Sequence, residues 1–294
     1  RVGYLDLELG GTAQPLVTDF DASYEVVGNH GSTWYVFTTR DAPRGRVVAV
    51  DLDDPAPAAW IELVPESADS LTEVDLYGGA LVCQYLHDAS SLLRVYEPDG
   101  RLRHELALPE IGTVGGVSGA HDQDEAFYSF SSFTSPGAVF RLDLASGASR
   151  PHFQPEVAFD PEAFTASQVW YESRDGTRVP MFLVHRKDLD RRRSHPVQLY
   201  GYGGFNIPIT PSFNVANLVW MEMGGVFAVA NIRGGGEFGR GWHLAGTVHD
   251  KQAVFDDFIA AGEWLVAEGW TTPEQLSIRG ASNGGLLVGA CLNQ

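Results

Sequence analysis

Between residues 34 and 144 the chain repeats one pattern three times. A β-rich run, a loop and a second β-rich run read Trp34-Tyr35-Val36-Phe37-Thr38-Thr39 then Val47-Val48-Ala49-Val50-Asp51-Leu52. They recur as Leu81-Val82-Cys83-Gln84-Tyr85-Leu86 then Leu92-Leu93-Arg94-Val95-Tyr96-Glu97, and as Phe127-Tyr128-Ser129-Phe130-Ser131-Ser132 then Val139-Phe140-Arg141-Leu142-Asp143-Leu144. The second runs begin at 47, 92 and 139, spacings of 45 and 47 residues. Each is followed by turn residues: Asp53-Asp54-Pro55, Pro98-Asp99-Gly100 and Ser146-Gly147. A small sheet cannot bury both its faces alone, so units of this period stack around an axis as β-propeller blades of four short strands. Propellers close with roughly 4–8 blades. Three are therefore a partial propeller, and further sequence is expected before Arg1; an ordinary β-sandwich is the competing architecture.

The formal net charge of −18 argues against nucleic acid and anionic membranes as partners, since both require a positive field. At most it would steer cationic peptides. With 44% hydrophobic and 20% charged residues the 294-residue chain is an ordinary folded one, of about two domains. No run approaches the ~18 apolar residues of a membrane span. Cys83 and Cys291 make neither a disulfide framework nor a Cys-rich metal site, and are expected as buried hydrophobes. They suit the cytoplasm, although a periplasmic or secreted protein fits as well. The chain starts without Met, so targeting signals are not read from it.

Near residue 155 the pattern changes to alternating strand and helix, which places a partial propeller of about three blades at 1–158 and a second domain at 159–294. Arg174-Asp175-Gly176-Thr177 joins the β-rich runs 168–173 and 179–184 as a hairpin turn. Arg191-Arg192-Arg193 reads as a solvated turn. Val197–Tyr200 and Val226–Ala230 are short apolar runs ending at or near glycines, as buried parallel strands do. A helical pattern covers Gln252–Glu268, with Asp256 and Asp257 read as surface or network carboxylates. Thr272-Pro273-Glu274 signals a helix start, and Leu276–Arg279 is a strand.

Gly280-Ala281-Ser282-Asn283-Gly284 fits Gly-x-Ser-x-Gly and lies where its chemistry requires, between a strand and a helix. Gly280 and Gly284 allow strand and helix to approach, so the strained turn presents the Ser282 hydroxyl. The Asn283 N–H, at a helix N-terminus, would stabilise an oxyanion. Tyr200-Gly201-Tyr202-Gly203-Gly204-Phe205-Asn206 ends a predicted strand on the edge where α/β sheets place ligand loops, and a tyrosine hydroxyl there would be a second donor. Asn231-Ile232-Arg233-Gly234-Gly235-Gly236-Glu237 lacks both phosphate-loop and dinucleotide spacing and reads as a tight structural loop.

These strings, with Phe255-Asp256-Asp257-Phe258 and Gly280 through Val288, resemble the prolyl oligopeptidases, serine peptidases of the α/β-hydrolase class. The resemblance is dense from 168 to 294 and architectural before it. It implies β-propeller blades followed by part of an α/β-hydrolase domain. Ser282 would be the nucleophile, the Tyr202 hydroxyl and Asn283 N–H the oxyanion donors, and Phe205 and Asn283 substrate-binding residues, with Phe205 lining a pocket for the compact, apolar proline ring. It implies cleavage of short proline-containing peptides by a monomer, with no cofactor and no metal. Ala281 stands where the family commonly has Gly, at a free position of the motif.

A serine nucleophile needs a base and an orienting carboxylate, which in α/β-hydrolases follow it as Asp then His. None of the 12 residues after Ser282 is Asp or His. His243 and His249 precede it and read as structural. The chain is expected to be the middle of a longer enzyme and inactive alone. The alternatives are an oligopeptidase preferring another residue before the cut, a carboxylesterase, and a propeller scaffold with a degenerate hydrolase domain.

Overall fold

A computed structural model describes residues 1–5, 7 and 10–294. A short antiparallel pair, β1 (Val2–Tyr4) and β2 (Gln14–Val17), precedes three four-stranded sheets. The first is β3 (Tyr24–His30), β4 (Thr33–Thr38), β5 (Arg46–Asp51) and β6 (Ile61–Val64). The second is β7 (Ser70–Tyr77), β8 (Ala80–His87), β9 (Ser90–Tyr96) and β10 (Leu102–Glu105). The third is β11 (Gly112–Gly119), β12 (Glu125–Ser132), β13 (Ala138–Asp143) and β14 (Ser149–Phe153). Each is an antiparallel meander in chain order. The repeated runs of the sequence are the two central strands of each sheet.

Why these sheets stack follows from the two-residue period of a strand. In β8, Leu81, Cys83 and Tyr85 turn to the first sheet and pack with Tyr35, Val47 and Val64. Ala80 and Val82 turn the other way, to Val114, Tyr128 and Phe140 of the third sheet. The middle sheet is therefore buried on both faces, as a propeller blade is. Burial pushes the Cys83 thiol up to about 12, so it is an inert part of this core.

The second domain is one five-stranded sheet. β15 (Phe164–Glu172) and β16 (Arg178–Arg186) form the hairpin expected around Gly176, which takes φ 81° at the turn. Then follow β17 (Val197–Tyr200), α1 (Val215–Glu222), β18 (Val226–Ala230), α2 (Arg240–Leu244), α3 (Lys251–Ala267), β19 (Leu276–Arg279) and α4 (Asn283–Cys291). The sheet order is β15-β16-β18-β17-β19, antiparallel through β18 and parallel from β18 to β19. The expected helix start at Thr272 opens only one 3-10 turn, Pro273–Gln275, before β19 takes the chain.

Both faces of this sheet are covered, which is why β16 and β18 read as unbroken apolar runs. Met181, Leu183, Leu199 and Ala228 meet Val254, Phe258, Ala261 and Leu265 of α3. On the opposite face, Phe182, Val184, Phe227 and Val229 meet Leu218 and Met221 of α1. Phe133, from the third blade, packs into that second cluster, with ring centroids 5.3 Å from Phe182. Further bonds join the halves, among them Thr113 Oγ1 donating to the Pro211 carbonyl (2.6 Å) and Gln168 Nε2 to the Asp88 carbonyl (2.5 Å). Among the described residues no helix is long and apolar enough to cross a membrane.

Candidate active site

The strand order reverses at β17: β18 lies on one side of it and β19 on the other. In open α/β sheets, this is where a crevice forms outside the carboxyl ends of the strands. Three loops meet there: 200–206 after β17, 231–237 after β18 and 280–282 after β19.

Glycines let them meet. A Cβ on Gly280 would lie 2.3 Å from the Gly284 carbonyl oxygen, and one on Gly284 would lie 2.7 Å from that of Gly201. A Cβ on Gly204 would enter the Asn283 side chain, at 2.5 Å from Nδ2, and one on Gly234 would lie 2.6 Å from Gly203 O. Two of these four contacts are backbone against backbone between different loops, so nothing flexible is there to yield.

Ser282 occupies the turn with φ 55° and ψ −117°, a region costly for a residue with a side chain. It is exposed, and its hydroxyl has no hydrogen-bond partner among the described residues. Asn283 opens α4, so its N–H has no acceptor within the helix. Its side chain turns back, and Nδ2 donates to the main-chain oxygen of Tyr202 at 2.6 Å. Tyr202 is half-buried. Phe205 is 72% exposed, and it and Asn206 both take φ 57°, which throws the aromatic ring outward from the loop. The structure thus brings Ser282, Asn283 and Tyr202 into one junction and sets Phe205 on its rim.

Among the described residues no hydrogen bond joins His243 to Ser282. Its Nδ1 lies 2.8 Å from the Gly234 carbonyl and 3.0 Å from the Asn206 N–H, tying the loop after β18 to the one after β17. His249 sits exposed in a 3-10 turn, Val248–Asp250. The Gly203 carbonyl accepts from Lys251 Nζ at 2.7 Å, a further strut on the same loop.

Beneath the junction lies a buried ionic network. Arg233 Nη2 meets Asp257 Oδ1 at 2.5 Å and its Nε meets Oδ2 at 2.9 Å, while its main-chain N–H donates to Oδ2 at 3.0 Å. Nη1 reaches Asp175 Oδ2 at 2.6 Å. Arg233 and Asp257 are both buried. The guanidinium holds the Asp175 carboxyl far below the usual range, and the two carboxylates raise Arg233 in turn. Asp257 is therefore the network member of its pair, whereas Asp256, at 3.5 Å from Arg174, lies nearer the surface.

Glu237, which in the sequence reads only as the end of a tight structural loop, is 1% exposed. Its Oε1 accepts from the Ile209 N–H at 2.9 Å, and Asn231 Nδ2 donates to Ile209 O at 2.6 Å, fixing the chain that leaves the Tyr202 loop. Oε2 has no partner among the described residues, and burial pushes the carboxyl up to about 7. The available signal was a carboxylate closing a glycine run that follows a fully buried strand. Among the described residues no three His, Cys, Asp or Glu side chains converge as metal ligands.

Comparison with known proteins bears on the fold and the family. Residues 1–155 match the model for the prolyl oligopeptidase N-terminal β-propeller domain, and residues 211–294 match that for the prolyl oligopeptidase family. The chain is 41% identical over 278 residues to prolyl endopeptidase from Elizabethkingia miricola, a match spanning 95% of this chain and 39% of that protein. Two solved structures superpose with TM-scores of 0.90. One, from a structural and mechanistic analysis of two prolyl endopeptidases, is 46% identical and matches 96% of this chain and 42% of its own. The other is prolyl oligopeptidase B from Galerina marginata bound to a 35mer hydrolysis and macrocyclization substrate, at 33% identity, 98% of this chain and 41% of its own.

Proposed function

On the premise that this chain belongs to the prolyl oligopeptidase family, we propose that the whole protein is a serine endopeptidase that cleaves short peptides on the carboxyl side of proline through an acyl-enzyme. Ser282 Oγ attacks the carbonyl carbon that follows the proline ring. The oxyanion receives hydrogen bonds from the Asn283 N–H and the Tyr202 hydroxyl, which the Asn283–Tyr202 bond holds in one unit. The amine leaves with a proton, and water then releases the acid and restores the serine. Phe205, exposed beside this junction, offers an aromatic wall to a ring that has no N–H to satisfy.

The observation that carries this reading is the conformation of Ser282: a strained, exposed serine at the start of a helix, with its neighbour locked to a tyrosine loop. We assign neither His243 nor His249 as its base, because the first braces two loops and the second sits exposed in a 3-10 turn with no hydrogen bond to Ser282 among the described residues. We assign the base and its carboxylate to the part of the protein outside this chain, which covers 39% of the relative's length. Residues 1–294 alone are accordingly assigned no turnover.

The test uses the full-length protein. A fluorophosphonate probe should label it covalently, and Ser282→Ala should abolish labelling; an unlabelled protein would instead be a scaffold. A peptide panel should be cut after proline in preference to arginine or lysine, and faster cleavage after arginine would overturn the proline assignment. Mass spectrometry of the products distinguishes hydrolysis from transfer of the acyl group to a peptide amine.

A further inference from the structure

Between the first two blades and the loops that follow β17 and β18 lies a cavity of about 550 Å³. Arg44, Ser70, Asn206, Arg240 and His243 are among the residues lining it, and among the described residues no Asp or Glu is. Such a lining is unexpected in a chain with a net charge of −18. The bonds these arginines do make use the main chain: the Arg44 N–H donates to Glu66 Oε1 at 2.7 Å and the Arg240 N–H to Pro43 O at 3.4 Å. Neither guanidinium has a hydrogen-bond or ion-pair partner among the described residues. Arg94, Arg103 and Arg233, by contrast, are each paired with carboxylates.

A second observation points the same way. Ser70 is 4% exposed, and its Oγ has no hydrogen-bond partner among the described residues. A buried hydroxyl without a partner is a donor left open, which folded proteins avoid unless something else satisfies it. This oxygen lies beside the arginine stem: a Cβ on Gly239 would stand 3.2 Å from Ser70 Oγ and 3.1 Å from Arg44 Cγ. His243 Nδ1 is engaged by the two loops, which leaves Nε2 as its remaining ring nitrogen. Two guanidinium forks beside a hydroxyl free to donate match carboxylate oxygens.

We propose that this cavity is a subsite for carboxylate groups of the peptide, so that the protein favours anionic substrates although its overall field is negative. The inference rests on the peptidase reading for its ligand and names the charge that ligand carries. Asn206, in the cavity wall, directly follows Phe205, and Gly204 packs on Asn283, so a chain acylating Ser282 reaches the cavity within a few extended residues. The arginines decide binding there because they lie close, within a partly enclosed space. The remaining charges of the molecule act through water and salt, which screen them beyond about 8–10 Å.

The experiment is calorimetric titration of the full-length Ser282→Ala protein with peptides of equal length that contain one central proline. Glutamate pairs stand before or after the proline, each with a glutamine counterpart and each as free acid and C-terminal amide. At least one anionic member should bind roughly tenfold tighter than the neutral amide, as charge-assisted bonds require. Comparing the glutamate and free-acid arms tells side-chain from terminal carboxylate. Arg240→Gln, at an exposed position, and Arg44→Gln should each remove most of that ratio and leave the neutral peptide unchanged. Equal binding of all the peptides, or a ratio that survives both substitutions, would overturn the subsite. Cleavage of the same peptides by the wild-type protein is scored separately: no cleavage of any of them defeats the peptidase reading and leaves the binding ratio to judge the cavity.

Discussion

Asn283 Nδ2 donates to the main-chain oxygen of Tyr202 at 2.6 Å, so the residue after the proposed nucleophile holds the loop that carries the proposed oxyanion hydroxyl. One side chain thereby sets the position of both donors. Asn283→Ala keeps the N–H and removes only this tether. In the full-length protein it should lower kcat by roughly ten- to a hundredfold, as small misplacements do. It should lower stability by only about 1 kcal/mol. Steady-state kinetics with a melting curve separate the two, and an unchanged kcat would show that the tether is merely structural.

Gly284 and Gly285 are neighbours in α4 with opposite expectations. A Cβ at 284 would strike the Gly201 carbonyl at 2.7 Å, whereas one at 285 meets nothing within 4 Å. Gly284→Ala should destabilise by about 1–3 kcal/mol and suppress fluorophosphonate labelling, because β17 and α4 must separate. Gly285→Ala should be neutral or stabilising by up to about 1 kcal/mol, since it only removes unfolded-chain freedom in a helix. Equal effects at the two positions would contradict the close approach.

The Arg233–Asp257 pair is buried, and removing one partner leaves the other charge unmet. Asp257→Ala should cost about 3–5 kcal/mol in denaturant unfolding. Asp175→Asn should cost less, because that side chain is 53% exposed and water compensates for its loss. The Asp175 carboxyl is held below its ordinary value. Its contribution is therefore present above the unfolded carboxylate pKa of about 4 and is lost as pH falls through the lower folded value. The difference between wild type and Asp175→Asn should shrink only in strong acid; a difference that vanishes already at pH 6 would contradict this.

Glu237 behaves in the opposite sense. Burial moves its carboxyl from 4.5 to about 7, so between those values the folded state holds a proton that the unfolded state has released. Its contribution is fully present below pH 4.5 and is lost as pH rises towards 7. Glu237→Gln keeps an acceptor for the Ile209 N–H and does not titrate. Urea midpoints from pH 4.5 to 7.5 should fall less steeply in the variant than in wild type. Parallel profiles would place the carboxyl's titration outside this window.

Much of this was legible along the chain because the physics involved is local. Alternation of apolar residues marks the central strands of each blade, and turn residues space them. Gly280 and Gly284 around Ser282 mark the sharp bend. Asp175 shows the limit: in the sequence it belongs to a turn, where its Oδ1 accepts from the Thr177 N–H, yet its other oxygen also holds Arg233, 58 residues away. Arg233 and Glu237 likewise read as parts of a glycine loop, because burial depends on neighbours that are distant in the chain.

The sequence by itself determined the blades, the strand–turn–helix around Ser282 and the family to which they belong, since periodicity, glycine spacing and motif strings are properties of adjacent residues. Only the tertiary structure decided that the strand order reverses at β17, that Asn283 grips Tyr202, that His243 braces loops and that a cavity with two arginines opens beside Asn206. Those outcomes rest on which distant surfaces exclude water together, and no local pattern encodes that.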